Sequence, residues 1–302
     1  MALVSLYNDT LRCEIDPESG ASITMLAMKL GGRWVPIMRP TPPEAIANRA
    51  TSDMSCFVLL PYSNRIKDAE FRFEGESYKL QPNTPEGHTI HGDVRKRPWQ
   101  VSESDPGCVR LRFESRTFPD INFPFPFNAN LSYEIHESTF RVELELENSG
   151  TRRMPAGMGL HPYYSRTLLD PNEHPEVQAR VSGEYVGLVP TTPAAPLQPK
   201  HDFSTMRTLE DVDVDACFAG WDGLATIRWP GSGVEAKLQA EPPFGHLILF
   251  TPQGKPYFAL EPVSNANNGF NLFADGDAES GVRILEPGQT MAAAFRIELS
   301  AS

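Results

Sequence analysis

The stretch Phe140-Arg141-Val142-Glu143-Leu144-Glu145-Leu146-Glu147 alternates apolar and charged residues without a break. A period of two puts every apolar side chain on one face, so the stretch predicts a strand with one face buried and the other in water. The same alternation recurs at Val109-Arg110-Leu111-Arg112-Phe113 and at Phe295-Arg296-Ile297-Glu298-Leu299. Residues 71–80 read as a hairpin turning near Gly75. Further strands are expected over 11–15, 22–29, 129–135, 224–229, 234–239, 245–251 and 257–262. The 28 prolines are spread as punctuation along the chain, and each interior proline would break a helix. Short strands separated by Gly, Pro, Asn or Asp predict an all-β fold, a large antiparallel sandwich or barrel. Helical periodicity is weak, with one short turn of helix expected near 204–210. The Pro-rich segment 189–200 reads as an extended surface loop, because strand patterns of one type flank it. A single domain over 1–302 is therefore expected.

Composition narrows the function classes. Over 302 residues the formal net charge is −12, which argues against nucleic acid or an anionic membrane as partner. Cys13, Cys56, Cys108 and Cys217 are far apart with no CxxC spacing, which disfavours a metal cluster and a disulfide framework. The first residues lack a basic start followed by an apolar run, and no segment has the apolar length of a membrane span. With scattered cysteines, these features point to the cytoplasm.

Five stretches carry residues suited to chemistry. In Leu59-Leu60-Pro61-Tyr62-Ser63-Asn64-Arg65-Ile66, Arg65 follows an apolar run; it suits a fork onto neighbouring hydroxyls, or a structural ion pair. In 88–99, His88 and His91 are three apart in extended or looped chain and supply too few ligands for zinc. Gly92 fits close approach of a ligand, and Arg95-Lys96-Arg97 reads as a solvated basic face or as a lure for an anionic substrate. In Gly157-Met158-Gly159-Leu160-His161-Pro162-Tyr163-Tyr164, the glycines give backbone clearance and the aromatics a wall beside His161. In 214–223, Asp215 sits in an apolar run and wants a partner, and Trp221 is either a sugar platform or core. Glu261 ends an apolar strand, so desolvation is expected to raise its pKa towards that of a general base at neutral pH. The Asn/Gly-rich loop after it reads as ligand-facing.

In this order the stretches resemble the aldose 1-epimerase (galactose mutarotase) family over most of the chain. Pro61-Tyr62-Ser63-Asn64-Arg65-Ile66, Asn83, His91-Gly92, Arg97-Pro98-Trp99, Leu160-His161-Pro162-Tyr163-Tyr164, Val214-Asp215-Ala216-Cys217-Phe218 and residues 260–271 carry the resemblance. It implies a β-supersandwich with a shallow cleft on one sheet. It implies His161 as proton donor and Glu261 as proton acceptor, with Asn64, Arg65, His91, Tyr163 and Asp215 as sugar contacts. It implies a small sugar substrate, no metal and no cofactor. Two positions depart from the pattern. Asp93, Val94 and Arg95 stand where an aromatic is common, and Ile248 stands where some relatives have glutamine.

Three alternatives stay open at this stage. They are an epimerase of phosphorylated or acidic sugars, a non-catalytic sugar-binding module, and a hydrolase using Asp215 with Glu261.

Overall fold

The computed structural model describes residues 3–302. Residues 140–147 lie inside the strand Thr139–Asn148, whose burial alternates along its length. Phe140, Val142, Leu144 and Leu146 point into the core. The other face is polar, with Asn130 donating to Glu145 at 2.8 Å and Arg141 paired with Glu143 at 2.8 Å. The neighbours of this strand are Phe127–His136 and the C-terminal strand Thr290–Ala301. Together they form the middle of a nine-stranded sheet that runs from Gln100–Ser104 to Arg207–Thr208.

A second large sheet runs Ala195–Pro196, Gly183–Tyr185, Asp215–Ala219, His246–Phe250, Tyr257–Val263, Gly159–Leu160 and Val58–Leu59, with Tyr163–Ser165 also on Tyr257–Val263. One apolar core takes side chains from both sheets, among them Leu131, Phe140 and Ile227 from the first and Phe218, Leu249, Phe258 and Leu260 from the second. A four-stranded sheet, Val4–Tyr7 to Arg33–Pro36, packs its apolar face into the same core. The result is a large antiparallel β-supersandwich with only two short helices among the described residues, Pro43–Ala47 and Gly269–Ala274.

The second sheet has two different buried faces. Along Tyr257–Val263, Phe258 and Leu260 enter the shared core, while Ala259 and Val263 join a separate apolar patch with Phe57, Leu59, Tyr163, Cys217 and Ile248. Period-two geometry places Glu261 on that second face.

The structure corrects some expectations from sequence. The turn of helix expected near 204–210 is absent. Ser204 closes a turn on Asp202, and Arg207–Thr208 pairs with Glu176–Val177 as an edge strand. The loop 189–200 is tied to the sheet by Ala195–Pro196 and ends in a 3₁₀ turn at Pro199–His201. The Asn/Gly-rich segment after Glu261 runs into the helix Gly269–Ala274, anchored by buried Phe270 and Leu272. The four cysteines are free, and among the described residues no helix is long and apolar enough to cross a membrane.

Leu144 is buried and Glu143 faces out on the same strand. Leu144→Ala is expected to cost about 2–5 kcal/mol through lost burial and a cavity, against within about 0.5 kcal/mol for Glu143→Ala. Denaturant midpoints check this, and equal losses would contradict the strand's facing.

Candidate active site

Register brings the two central side chains together. Gly159 pairs with Val263 and Tyr163 pairs with Ala259. Counting inward from both ends sets His161 opposite Glu261, at the break between two short strands where Pro162 supplies no amide donor. The His161 amide donates instead to the Phe57 carbonyl at 2.9 Å. His161 Nε2 lies 3.3 Å from Glu261 Oε1 and 3.4 Å from the Tyr163 hydroxyl. The imidazole is held between Phe57, at a ring distance of 4.6 Å, and Tyr163, at 4.4 Å. His91 meets it edge-on at 5.1 Å.

His161 is 5% exposed and Glu261 2% exposed. His161 Nδ1, His91 Nδ1 and Glu261 Oε2 have no hydrogen-bond partner among the described residues. Burial disfavours charge, so it raises the Glu261 carboxyl well above its ordinary 4.5; Asp215 adds to the rise and Arg65 opposes it. Burial lowers His161 well below 6.5, and the Arg39 and Arg95 guanidiniums lower it further. Burial lowers His91 in the same way, followed by the charges of His161, Arg95 and Arg65.

A local scaffold fixes each of these groups. Arg65 lies on a two-residue ladder, Arg65–Ile66 on Thr89–Ile90. Asn64 and His91 flank that ladder with φ of 52° and 67°, a left-handed region that Asn and His enter more readily than most residues. The His91 amide donates to the Asn64 carbonyl at 2.9 Å, and Asn64 Oδ1 accepts from Arg65 Nη1 at 3.2 Å. Asn83 brackets Ile90 with both ends of its amide, at 2.8 and 3.1 Å, and so holds the far side of the ladder.

Asn265 clamps the two motifs that carry Asn64 and Glu261. Its Oδ1 accepts from the Ser63 amide at 3.0 Å and its carbonyl accepts from Ser63 Oγ at 2.8 Å. Asn268 donates its amide to the Arg65 carbonyl at 2.6 Å. The Asn-rich segment expected to face a ligand is thus largely a buried brace. The glycines change meaning with it. A Cβ at Gly157 would stand 1.9 Å from Asn265 Oδ1, and one at Gly159 would stand 2.8 Å from Val263 Cγ1. The clearance at Gly92 is also for protein, since a Cβ there would stand 1.8 Å from the Leu60 carbonyl oxygen.

The remaining sequence candidates divide. Tyr163 is buried, with its hydroxyl on His161. Asp215 begins its strand exposed and has no ion pair among the described residues, so it is not enclosed as its apolar neighbours implied. Desolvation by the surrounding protein raises its carboxyl, and Arg65 opposes the rise. Ile248 sits beside Glu261 on the same face. Trp221 is core, its indole bonded to the Leu224 carbonyl at 2.9 Å. His88 turns away and accepts the Asp68 amide at 3.0 Å. No group of three or more metal-ligating side chains occurs among the described residues.

Two groups take places that the sequence did not fix. Arg95, read either as part of a solvated basic face or as a lure for an anionic substrate, is 7% exposed, which corrects the solvated reading, and its guanidinium sits over the Phe57 ring at 5.4 Å. Arg39 is also buried, stacked on Tyr163 at 3.5 Å. No local alternation marks Arg95, because residues 95–96 lie in a turn closed by the Arg97 amide on the Val94 carbonyl at 3.1 Å. Arg39 carried only its setting between Ile37-Met38 and Pro40.

The comparisons with known proteins agree with the fold. The chain is 27% identical over 298 residues to an uncharacterized Escherichia coli K12 protein, YphB, covering 92% of this chain and 93% of that one. It is 27% identical over 226 residues to another, YihR, covering 72% of each. A crystal structure from Escherichia coli K12 matches with a TM-score of 0.84 at 24% identity, over 100% of this chain and 99% of that one. A galactose mutarotase-like protein from Clostridium acetobutylicum matches with a TM-score of 0.83 at 18% identity, over 99% and 95%. At such identities the structural likeness speaks for the fold alone. The aldose 1-epimerase family model matches residues 3–298, and the chain belongs to that family.

Proposed function

We propose that this protein is a mutarotase, interconverting the α and β anomers of an aldose by opening and reclosing its ring. The observation that carries this reading is the 3.3 Å contact of His161 Nε2 with Glu261 Oε1 in a buried site. Ring opening moves two protons. The anomeric hydroxyl loses one, the ring oxygen gains one, the C1–O bond to the ring breaks and C1 becomes an aldehyde. Rotation about the next bond and reclosure on the other face give the second anomer. The reaction balances without a redox step or a covalent intermediate.

Glu261 takes the hydroxyl proton and His161 supplies the ring-oxygen proton. In water a carboxylate and an imidazolium differ by about two pKa units. Burial raises one group and lowers the other, so their proton affinities approach each other. Matched affinities suit a pair that must run the transfer forwards and then backwards. Arg65, which opposes the rise at Glu261, keeps its carboxylate accessible. Asn64, Arg65, His91, Tyr163 and Asp215 are the sugar contacts in this reading, and Ile248 supports the floor beside Glu261.

A purely sugar-binding role would leave two buried titratable groups facing each other without use. Glu261→Gln keeps the shape and removes the base. It is expected to slow anomer exchange by about 10²–10⁴-fold while largely sparing sugar binding. Exchange NMR on glucose and galactose reads this, and unchanged turnover would remove Glu261 from the mechanism.

The pair must hold one proton to work. A second proton on the pair leaves no base and stops the reaction, and because burial lowers His161 that event falls below the ordinary 6.5. The kcat/KM profile should therefore stay level down through pH 6.5 and fall only in more acid solution. An acid limb at or above 6.5 would contradict the burial argument.

A further inference from the structure

Arg65 is held chiefly by its main chain. Its guanidinium forms no ion pair among the described residues, and its side-chain bond is Nη1 to Asn64 Oδ1 at 3.2 Å. The short strand that carries it, Arg65–Ile66, is laddered to Thr89–Ile90. Successive main-chain groups of a strand point to opposite edges, and the Asn64 carbonyl faces the ladder, accepting from the His91 amide. The Arg65 carbonyl and the Lys67 amide therefore lie on the other edge.

Asn268 closes that edge. Its amide donates to the Arg65 carbonyl at 2.6 Å, and its Oδ1 accepts from the Lys67 amide at 3.1 Å. A parallel strand would supply this pair of bonds opposite Ile66, with a main-chain carbonyl where Asn268 uses its side chain. The side chain also ties in two further segments. Its Nδ2 donates to the Pro190 carbonyl at 2.8 Å, and its Oδ1 accepts from Asn271 Nδ2 at 2.9 Å.

The helix gives something up for this. Asn268 is the N-cap of Gly269–Ala274, where an asparagine side chain ordinarily bonds a first-turn amide. No side-chain cap bond forms, and the residue stands in the left-handed region at φ 55°. A forgone cap and a left-handed backbone at one buried residue point to a task outside the helix. That task lies at the site. Glu261 touches His161, Asp215 raises its carboxyl, and Arg65 opposes the rise.

We propose that Asn268 is a positioning residue: it stands in for a missing strand beside Arg65 and fixes the Arg65 guanidinium relative to Glu261. The value of that placement for turnover rests on the mutarotase reading; the hold of Arg65 on the carboxyl does not.

Two variants remove the same bond from its two ends. Asn268→Gly keeps the left-handed turn and the main-chain bond to Arg65 but loses both side-chain bonds. Lys67→Pro removes the amide that Oδ1 accepts, at an exposed residue that follows extended Ile66, as proline requires. Lys67→Ala keeps the amide and is the control. The readout is the infrared titration of the Glu261 carboxyl band, assigned by its loss in Glu261→Gln. A guanidinium no longer fixed beside Glu261 opposes the rise less. The midpoint should therefore move up in Asn268→Gly and Lys67→Pro and stay in place in Lys67→Ala. In the same two variants kcat/KM for anomer exchange should fall on the order of tenfold. Either variant carries the test if the other does not fold. A wild-type midpoint in the folded variant, with only a lower melting temperature, would reduce the Asn268 bonds to scaffolding and overturn the proposal. An equal shift in Lys67→Ala would overturn it too. A midpoint that moves as expected, in a protein whose wild type does not accelerate exchange, leaves Asn268 in its role and rejects the mutarotase.

Discussion

The site depends on one buried contact, His161 with Glu261, and that contact is a consequence of strand register. Gly159 with Val263 and Tyr163 with Ala259 fix the count from both sides. A slip of one residue in Tyr257–Val263 would send Glu261 into the shared core and bring Leu260 to the site face. The apolar residues of the strand therefore do two tasks. Phe258 and Leu260 bind it to the core, and their burial forces Glu261 to the opposite side, where the second apolar patch desolvates it.

The remaining site follows from that placement. The loop bearing Arg65 and the loop after Glu261 are joined through Asn265 and Asn268, both buried. Gly157 and Gly159 let these segments approach. The polar side chains of the motif thus form a rigid frame, and few are left to contact a ligand. Such a frame keeps unpaired groups such as Glu261 Oε2 aimed into the site, at a cost met by the core beneath.

Much of the fold was legible because alternation is a local signal. Residues 140–147 needed no distant partner to reveal a half-buried strand. The candidate site was legible as far as the contact of His161 with Glu261, each a polar residue that interrupts an apolar strand. What failed was whatever depended on remote neighbours. The atoms that Gly157 clears belong to Asn265, over a hundred residues away. Asp215 looked enclosed because its neighbours are apolar, yet it stands at the exposed first position of its strand. Arg39 becomes a site residue only because Tyr163 stacks on it, and the helix Gly269–Ala274 forms because Phe270 and Leu272 find the core.

The central claim is that burial raises the Glu261 carboxyl and lowers the His161 imidazole, so that their proton affinities approach each other. Infrared difference spectroscopy of wild type against Glu261→Gln, taken along a pH titration, reads the Glu261 carboxyl directly. The account predicts a protonated-carboxylic-acid C=O band, lost in the variant, whose titration midpoint lies well above the ordinary 4.5. A midpoint at or below 4.5 would contradict it.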